Sequence, residues 1–188
     1  MKGLAYRSLM RFVDEELPGG RGAFLAKIED YDLARFANQP FLAASWYDVA
    51  PVVAMNEVAS QMMGQSMADF VGGRARTQAR EDLSGVYSFL LRLAAPMAVA
   101  KGLPRLTSRY FDWGEADTFQ VERRHARAIR TGVPSILRAW YPQVSIPYME
   151  IAIERAGGRD VRIESSSVRE GETDGVVTYR QTFDLYWD

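Results

Sequence analysis

The fold is decided by the alternating stretch at residues 177–187, VTYRQTFDLYW. Successive side chains of a strand point to opposite faces, so alternation separates this segment into two rows. One row is largely apolar and comprises Val177, Tyr179, Phe183, Leu185 and Trp187. The other is largely polar and comprises Thr178, Arg180, Thr182, Asp184 and Tyr186. This pattern predicts a β-strand with one buried face, as is typical of an antiparallel sheet.

Residues 1–103 follow a helical period instead, with apolar residues three or four positions apart. The predicted helices are Leu4–Leu17, Ala23–Ile28, Asp30–Ala37, one capped by Asp48, one capped by Ser66, and Gly85–Ala100. We expect Gly72-Gly73 to weaken the fifth helix without ending it. We expect Pro96 to kink the last helix, which Gly102 then ends.

Residues 104–188 show strand patterns separated by turn residues. The predicted strands are Leu106–Phe111, Phe119–Ile129, one that begins at Val161, and the closing stretch. A turn over Asp112–Asp117 joins the first two into a hairpin. The segments between the later strands are predicted as a loop bracketed by Pro142 and Pro147, a helix over Tyr148–Ala156, and a loop over Glu170–Gly175.

Together these elements predict a single α+β domain over residues 1–188. Its helical part covers about residues 1–103 and its sheet-rich part about residues 104–188. The sheet is expected to be antiparallel, with about four strands and one inserted helix.

Composition excludes several kinds of function. The chain has 188 residues, no cysteine, a single histidine (His125) and a formal net charge of -1. Without cysteine there can be no disulfide scaffold, thiol nucleophile or thiolate-bound zinc or iron–sulfur site. A single histidine cannot form a metal site that needs two histidine ligands. A balanced charge gives no general attraction to nucleic acid or to an anionic membrane. Since no stretch has the pattern of a signal peptide or a membrane span, we expect a cytoplasmic protein.

The densest basic segment lies in the predicted strand Phe119–Ile129. Alternation places Arg123, His125 and Arg127 on one face of that strand. One interpretation is an anion-binding face for a ligand carboxylate or an acidic partner. The other is a solvated strand face whose charge is balanced by acidic residues, namely Asp112, Glu115, Asp117 and Asp184.

Three further patterns leave alternatives open. His125 could be a general base or a metal ligand, or a hydrogen-bonded strand histidine, and no second histidine or cysteine completes a site. Ser165-Ser166-Ser167 could supply a nucleophile, but no base is identifiable for it. The methionines and aromatic residues of the helical part could line a pocket for an apolar ligand or form an ordinary core. We therefore expect no enzyme activity and no metal site.

A series of short motifs occurs in an order that resembles one known family. The motifs are Met1-Lys2-Gly3, Trp46-Tyr47-Asp48, Gly73-Arg74, an apolar helix over Tyr87–Lys101, Pro104-Arg105-Leu106, Gly157-Gly158 and the closing Thr182–Trp187. This order resembles the heme-nitric-oxide/oxygen-binding (H-NOX) sensor domain over nearly the whole chain. The sequence is also similar to an uncharacterised paralogous family of comparable length from myxobacteria, which the resemblance implies is a heme-less branch of the same fold.

The chain departs from the H-NOX pattern at the residues that hold heme. The resemblance implies a heme-ligating histidine on the long helix before the hairpin, where Met97 or a neighbour is the best counterpart. It also implies a Tyr-x-Ser-x-Arg motif for the heme propionates on the second hairpin strand. The predicted strand reads FQVERRH over Phe119–His125 and has neither the tyrosine nor the serine at that spacing.

The expected function is therefore a non-enzymatic sensory or regulatory domain with an H-NOX-like fold that has lost the usual heme binding. Its ligand would be a small apolar or amphipathic molecule, or a partner protein. The ligand-binding residues implied by the resemblance and by the basic strand are Ala5, Leu9, Leu93, Met97, Arg123 and Arg127. The alternatives are a structural protein–protein interaction module with a filled core, and an atypical heme-binding gas sensor that uses Met97 or His125.

Overall fold

Helices make up the first part of the chain and an antiparallel sheet with further helices makes up the rest. The computed structural model describes residues 1–84 and 91–188, with only the backbone of Leu106. Two compact units are present, Met1–Val71 and Gly72–Asp188, and the boundary falls within a helix. The single domain over residues 1–188 stays a prediction.

The first unit contains helices that begin close to the predicted positions, except that α2 begins three residues before the predicted Ala23. They are α1 (Gly3–Glu15), α2 (Gly20–Lys27), α3 (Tyr31–Asn38), α4 (Ala50–Met62) and the beginning of α5 (Met67–Asp82). Asp30 accepts a hydrogen bond from the Leu33 N–H at 2.9 Å, and Ser66 Oγ accepts one from the Asp69 N–H at 3.1 Å. These side chains satisfy N–H groups that have no partner within the helix, so the predicted Ser66 cap is confirmed, and Asp30 is a cap that was not predicted. The N-cap of α4 is Val49, and the predicted cap, Asp48, lies one residue earlier and accepts a hydrogen bond from the Ala50 N–H at 3.0 Å.

An aromatic cluster forms the core of this unit. Tyr6 of α1 is fully buried and stacks on Phe41 with ring centroids 4.7 Å apart, and Phe36 and Tyr47 pack against the same pair. Gly3 lies where the helix start meets the segment before Tyr47, since a Cβ at this position would be 2.2 Å from the Leu42 carbonyl oxygen. Only glycine allows this close approach of the two backbone segments.

The helix before the sheet differs from the prediction. Gly85–Leu90 of the predicted helix lie outside the described residues, and the described helix α6 runs from Pro96 to Thr107. Pro96 therefore begins a helix instead of kinking one, because proline is well suited to the first helical position. Gly102 does not end α6, and the extended segment predicted over Leu106–Phe111 is wrong.

The second unit contains a four-stranded antiparallel sheet with strand order β1-β2-β4-β3. Its strands are β1 (Ala116–Glu122), β2 (His125–Pro134), β3 (Arg162–Thr173) and β4 (Val176–Tyr186). The predicted single strand Phe119–Ile129 is in fact the two arms of the β1–β2 hairpin, with Arg123 and Arg124 in its turn. The prediction failed here because this turn contains no glycine, proline, asparagine or aspartate to mark it.

Two loop predictions were also wrong. Pro142 and Pro147 lie inside helix α7 (Trp140–Arg155), which follows a short 3₁₀ turn at Ser135–Leu137. The predicted loop Glu170–Gly175 is largely strand, and β3 and β4 are joined by a tight turn at Asp174 and Gly175 with φ of 51° and 77°. Positive φ at both central residues matches the right-handed twist of a hairpin.

The inner face of the sheet carries the core of the second unit. Phe183 and Leu185 of β4 are buried, as the alternation predicted, and Tyr141 of α7 packs on Phe183 with ring centroids 6.0 Å apart. The fold class is confirmed, with helices first, then a four-stranded antiparallel sheet with α7 inserted between β2 and β3. Within the described residues, no helix has both the length and the hydrophobicity that crossing a membrane requires.

Candidate functional site

The resemblance-based pocket residues lie on three elements. Ala5 and Leu9 belong to α1, where Leu9 is fully buried in the core of the first unit and Ala5 is half-buried. In the second unit, Leu93 is 71% exposed in a short helical segment, and Met97 is half-buried in the first turn of α6. The role of these residues in ligand binding stays a prediction.

The basic residues of the predicted strand are separated by the turn. Arg123 is exposed between β1 and β2, whereas His125 and Arg127 lie on the same face of β2. The shared face predicted for Arg123 with the other two is therefore wrong. The register of the sheet instead places Asp184 of β4 directly opposite Arg127.

Asp184 is the centre of a group of side chains that we call the sheet-face cluster, comprising His125, Arg127, Asp184 and Tyr186. The Asp184 carboxylate accepts two hydrogen bonds from the Arg127 guanidinium, at 2.8 and 3.0 Å, and lies 2.7 Å from His125 Nε2. Since an ionised carboxylate only accepts hydrogen bonds, we assign the proton to Nε2. The His125 ring stacks on Tyr186 with centroids 4.3 Å apart.

The electrostatics of the sheet-face cluster favour an ionised Asp184. Burial raises the pKa of this carboxyl group, but the hydrogen bonds from Arg127 and His125 outweigh that effect, and the pKa lies below its ordinary value. Both carboxylate oxygens are occupied by donors. Asp184 thus fixes β2 to β4 and holds His125 in one orientation, an arrangement suited to structure more than to proton transfer.

A second carboxylate organises the interior of this unit, in what we call the Asp82 cluster. Asp82 Oδ2 accepts hydrogen bonds from the Tyr148 hydroxyl at 2.6 Å and the Tyr110 hydroxyl at 2.9 Å, and Oδ1 accepts one from Gln78 Nε2 at 2.6 Å. Burial, reinforced by the charge of Asp82, raises the pKa of both phenols. Both tyrosines therefore remain neutral donors over the ordinary pH range.

Arg130 is a buried cation on the inner face of the sheet. It is 4% exposed, its Nη2 donates to the Trp113 carbonyl oxygen, and its guanidinium carbon lies 4.5 Å from the centre of the Trp113 ring. Burial lowers the pKa of Arg130, and the neighbouring Tyr141 and Asp112 act in the opposite direction. Aromatic and carbonyl groups of this kind compensate in part for the lost hydration of a buried guanidinium.

An open groove of about 500 Å³ lies between the start of α7 and the edge strand β3, and we call it the β3 groove. Its lining residues are Ser135, Ile136, Arg138, Ala139, Pro142, Ser165, Ser166, Ser167 and Gln181. Sequence reasoning noticed the three serines only as a nucleophile candidate and missed the others. The available signal was Gln181, a polar residue in the middle of the otherwise apolar row of the closing strand.

The described residues contain no group of three or more histidine, aspartate or glutamate side chains placed to hold a metal ion. In the sheet-face cluster and in the Asp82 cluster, one carboxylate accepts hydrogen bonds from side chains of neighbouring elements. The lining of the β3 groove contains hydroxyl, amide and guanidinium groups.

Comparison with known proteins shows the fold alone. No family model matches the chain, and no curated protein matches it. Among solved structures, the Fe(II) unliganded H-NOX protein from K. algicida is 12% identical, with a TM-score of 0.65, and the match covers 100% of this chain and 97% of that one. A mutant of the H-NOX protein from T. tengcongensis is 12% identical, with a TM-score of 0.64 and coverage of 100% and 98%. A structure that probes the function of heme distortion in the H-NOX family is 13% identical, with a TM-score of 0.63 and coverage of 100% and 95%. The chain thus has an H-NOX-like α+β fold.

Proposed function

We propose that this chain is a non-enzymatic sensory or regulatory domain that uses an H-NOX-like fold without heme. The observation that carries the proposal is the position of its only histidine. His125 lies on a strand of the sheet, where it is bound to Asp184 and stacked on Tyr186. Because Asp184 holds Nε2, only Nδ1 of His125 would be left to bind iron.

The other residues of the chain do not supply the iron ligand and the propionate-binding motif that heme is expected to need. Helix α6 directly precedes the hairpin and contains no histidine, and its one thioether, Met97, is a weak iron ligand on its own. The second hairpin strand is now defined as His125–Pro134, and its sequence HARAIRTGVP contains neither the tyrosine nor the serine of the propionate-binding motif. These residues support a heme-independent domain.

The state of the titratable groups supports a domain without enzyme activity. Asp184 is occupied by Arg127 and His125, and Asp82 is occupied by two tyrosines and a glutamine. A general base must be free to accept a proton from a substrate, and each of these two carboxylates already accepts three hydrogen bonds. The domain would then act by binding, either of a small apolar or amphipathic molecule or of a partner protein. A cytoplasmic location, consistent with the absence of cysteine, stays a prediction.

The decisive experiment is a titration of the purified protein with hemin, followed by absorption in the Soret region. We expect only the broad spectrum of free or loosely bound hemin, with a heme-binding H-NOX protein as the positive control. A sharp Soret band at equimolar hemin that disappears in Met97→Ala or His125→Ala would overturn the proposal. Native mass spectrometry of protein purified from cells then separates the two modes of binding. A retained small molecule favours ligand sensing, and its absence favours a partner protein.

A further inference from the structure

The outer edge of β3 is open. In the strand order β1-β2-β4-β3, this strand of 12 residues pairs with β4 on one side, and no described strand pairs with its other side. An edge strand presents a row of unpaired N–H and C=O groups, which can form a ladder with another chain. Natural edges are usually protected by charged side chains, prolines or bulges.

The middle of β3 lacks that protection. Charged residues flank it at Glu164 and Arg169, and the only irregularity in its pairing falls between Arg169 and Gly171. The four residues between the flanking charges, 165–168, are uncharged, and Val168 is 60% exposed. This segment is therefore accessible to an additional strand.

The β3 groove runs beside the same segment. Ile136 is 48% exposed and offers an apolar contact on the side opposite the serines. Because most of the lining residues are exposed, the groove is too open to enclose a small molecule, whereas an extended peptide can lie along it.

Two buried polar atoms at the groove have no hydrogen-bond partner among the described residues. They are Gln181 Oε1, on a side chain that is 1% exposed, and Ser167 Oγ, which is the neighbour of Gln181 across the sheet. Buried polar atoms are costly when unpaired, and most are satisfied in native proteins. Gln181 lies in the lining of the groove, and an N–H donor of a ligand would satisfy its carbonyl once the side chain turns towards the groove.

Charge at the groove selects an acidic ligand. Arg138 is the only charged residue of the lining, and its guanidinium lies 4.7 Å from the centre of the Tyr179 ring. Ala139, the residue next to it, precedes the first turn of α7, which has no side-chain cap. The positive end of the helix dipole and the guanidinium both favour a carboxylate at this point.

We propose that the β3 edge and the β3 groove bind an extended segment of a partner protein, which adds a strand to the sheet and places an acidic side chain against Arg138. This inference rests on the proposed function only in that it identifies the partner-binding surface of a regulatory domain. The backbone ladder supplies affinity, and Ile136, Gln181 and Arg138 supply specificity.

The test uses a phage-displayed library of random linear peptides, selected on the immobilised 188-residue chain. We expect enriched peptides that share an acidic residue within an alternating, β-branched sequence. Their affinity should fall about tenfold in Arg138→Glu, and it should be unchanged in Arg35→Glu, which reverses an exposed arginine on α3. Hydrogen exchange measured with the bound peptide should slow at residues 165–168 and remain unchanged in the other edge strand, β1.

Proline substitutions test the backbone ladder directly. Adjacent residues of a strand turn their N–H groups to opposite sides. One of the two variants Ser165→Pro and Ser166→Pro therefore removes an N–H that points to the open edge. The other removes an N–H that pairs with β4. The variant that retains the thermal midpoint should lose about tenfold or more in peptide affinity. If neither proline variant folds, hydrogen exchange at residues 165–168 in the wild type decides whether the peptide adds a strand.

The proposal is wrong if no peptide is enriched over the bare support, or if binding depends on Arg138 while exchange at residues 165–168 stays fast. The second result would mean charge attraction without strand addition. A sharp heme spectrum would overturn heme independence and leave the peptide result intact. Failure to select a peptide would overturn the groove and leave heme independence intact.

Discussion

The Asp82 cluster should be a main source of stability in the second unit, and Tyr148→Phe tests this with the least disturbance. The change removes one hydroxyl and leaves the ring in place, so it deletes the 2.6 Å hydrogen bond to Asp82 without creating a large cavity. Hydrogen bonds to charged groups contribute about 1.5–3 kcal/mol. Since Asp82 keeps its bonds from Tyr110 and Gln78, we expect the free energy of unfolding to fall by about 1.5 kcal/mol.

The measurement is urea denaturation at pH 7 followed by far-UV circular dichroism, with thermal denaturation in parallel. A loss of about 1.5 kcal/mol corresponds to a decrease in Tm of about 3–6 °C for a chain of this size. Tyr31→Phe is the matched control, because Tyr31 is 79% exposed and its hydroxyl lies outside any such cluster. In Asp82→Ala the effect of Tyr148→Phe should largely vanish, since the acceptor is gone.

The same cluster predicts a dependence on alkaline pH. The folded pKa of Tyr148 is raised above its unfolded value, so its contribution is complete below the unfolded pKa of about 10 and is lost as pH rises towards the folded pKa. The stability of the wild type should therefore fall more steeply above about pH 10 than that of Tyr148→Phe. The reasoning is refuted if Tyr148→Phe unfolds within about 0.5 kcal/mol of the wild type at pH 7, or if the two alkaline profiles coincide.

The geometry supports three further predictions, which use four substitutions. Asp184→Asn should lower Tm at pH 7. The difference in Tm between this variant and the wild type should disappear as pH falls through the folded pKa of Asp184, which lies below its ordinary value. A difference in Tm that persists in acid would contradict the ion-pair explanation. Gly114→Ala should destabilise by about 2 kcal/mol or more, because Gly114 has φ +60° and a Cβ there would be 1.9 Å from the Thr131 carbonyl oxygen. Gly3→Ala should destabilise the first unit in a urea titration, whereas Gly73→Ala, with open space at the Cβ position of α5, should leave stability unchanged or raise it by up to about 1 kcal/mol. If Gly3→Ala and Gly73→Ala changed the free energy of unfolding equally, the close approach of the backbone at Gly3 would not explain the loss of stability.

The sequence predicted correctly those helices and strands that depend on residues close together in the chain. Ser66 marked the start of α5 correctly because a cap acts within one turn of its own position, and the helix predicted from Asp30 begins at the next residue. The closing strand was found because its alternation continues over many residues. The errors occurred at Pro96, Pro142 and Pro147, which were interpreted as interruptions although helices accept proline in the first turn and, at a cost, further inside.

The site was harder to predict because it depends on register. Asp184 was one of several acids expected to balance the basic strand, and no local signal distinguished it from Asp112 or Asp117. Its pairing with Arg127 follows from the contact between β2 and β4, which are separated in sequence by α7 and β3. The β3 groove was missed for the same reason, since Arg138 and Ser165–Ser167 are brought together only by the fold.

The strand order β1-β2-β4-β3 has a consequence for how the sheet assembles. Each outer pair is a hairpin of neighbouring strands, whereas the central seam joins residues as far apart in sequence as His125 and Tyr186. Closing a long loop is slow, so we expect the two hairpins to form first and the seam to close last. Asp184 bonds across that seam to His125 and Arg127. These bonds need β2 and β4 already in register, so we expect them to form after the slow closure of the seam. Substitution of Asp184 should therefore mainly accelerate unfolding.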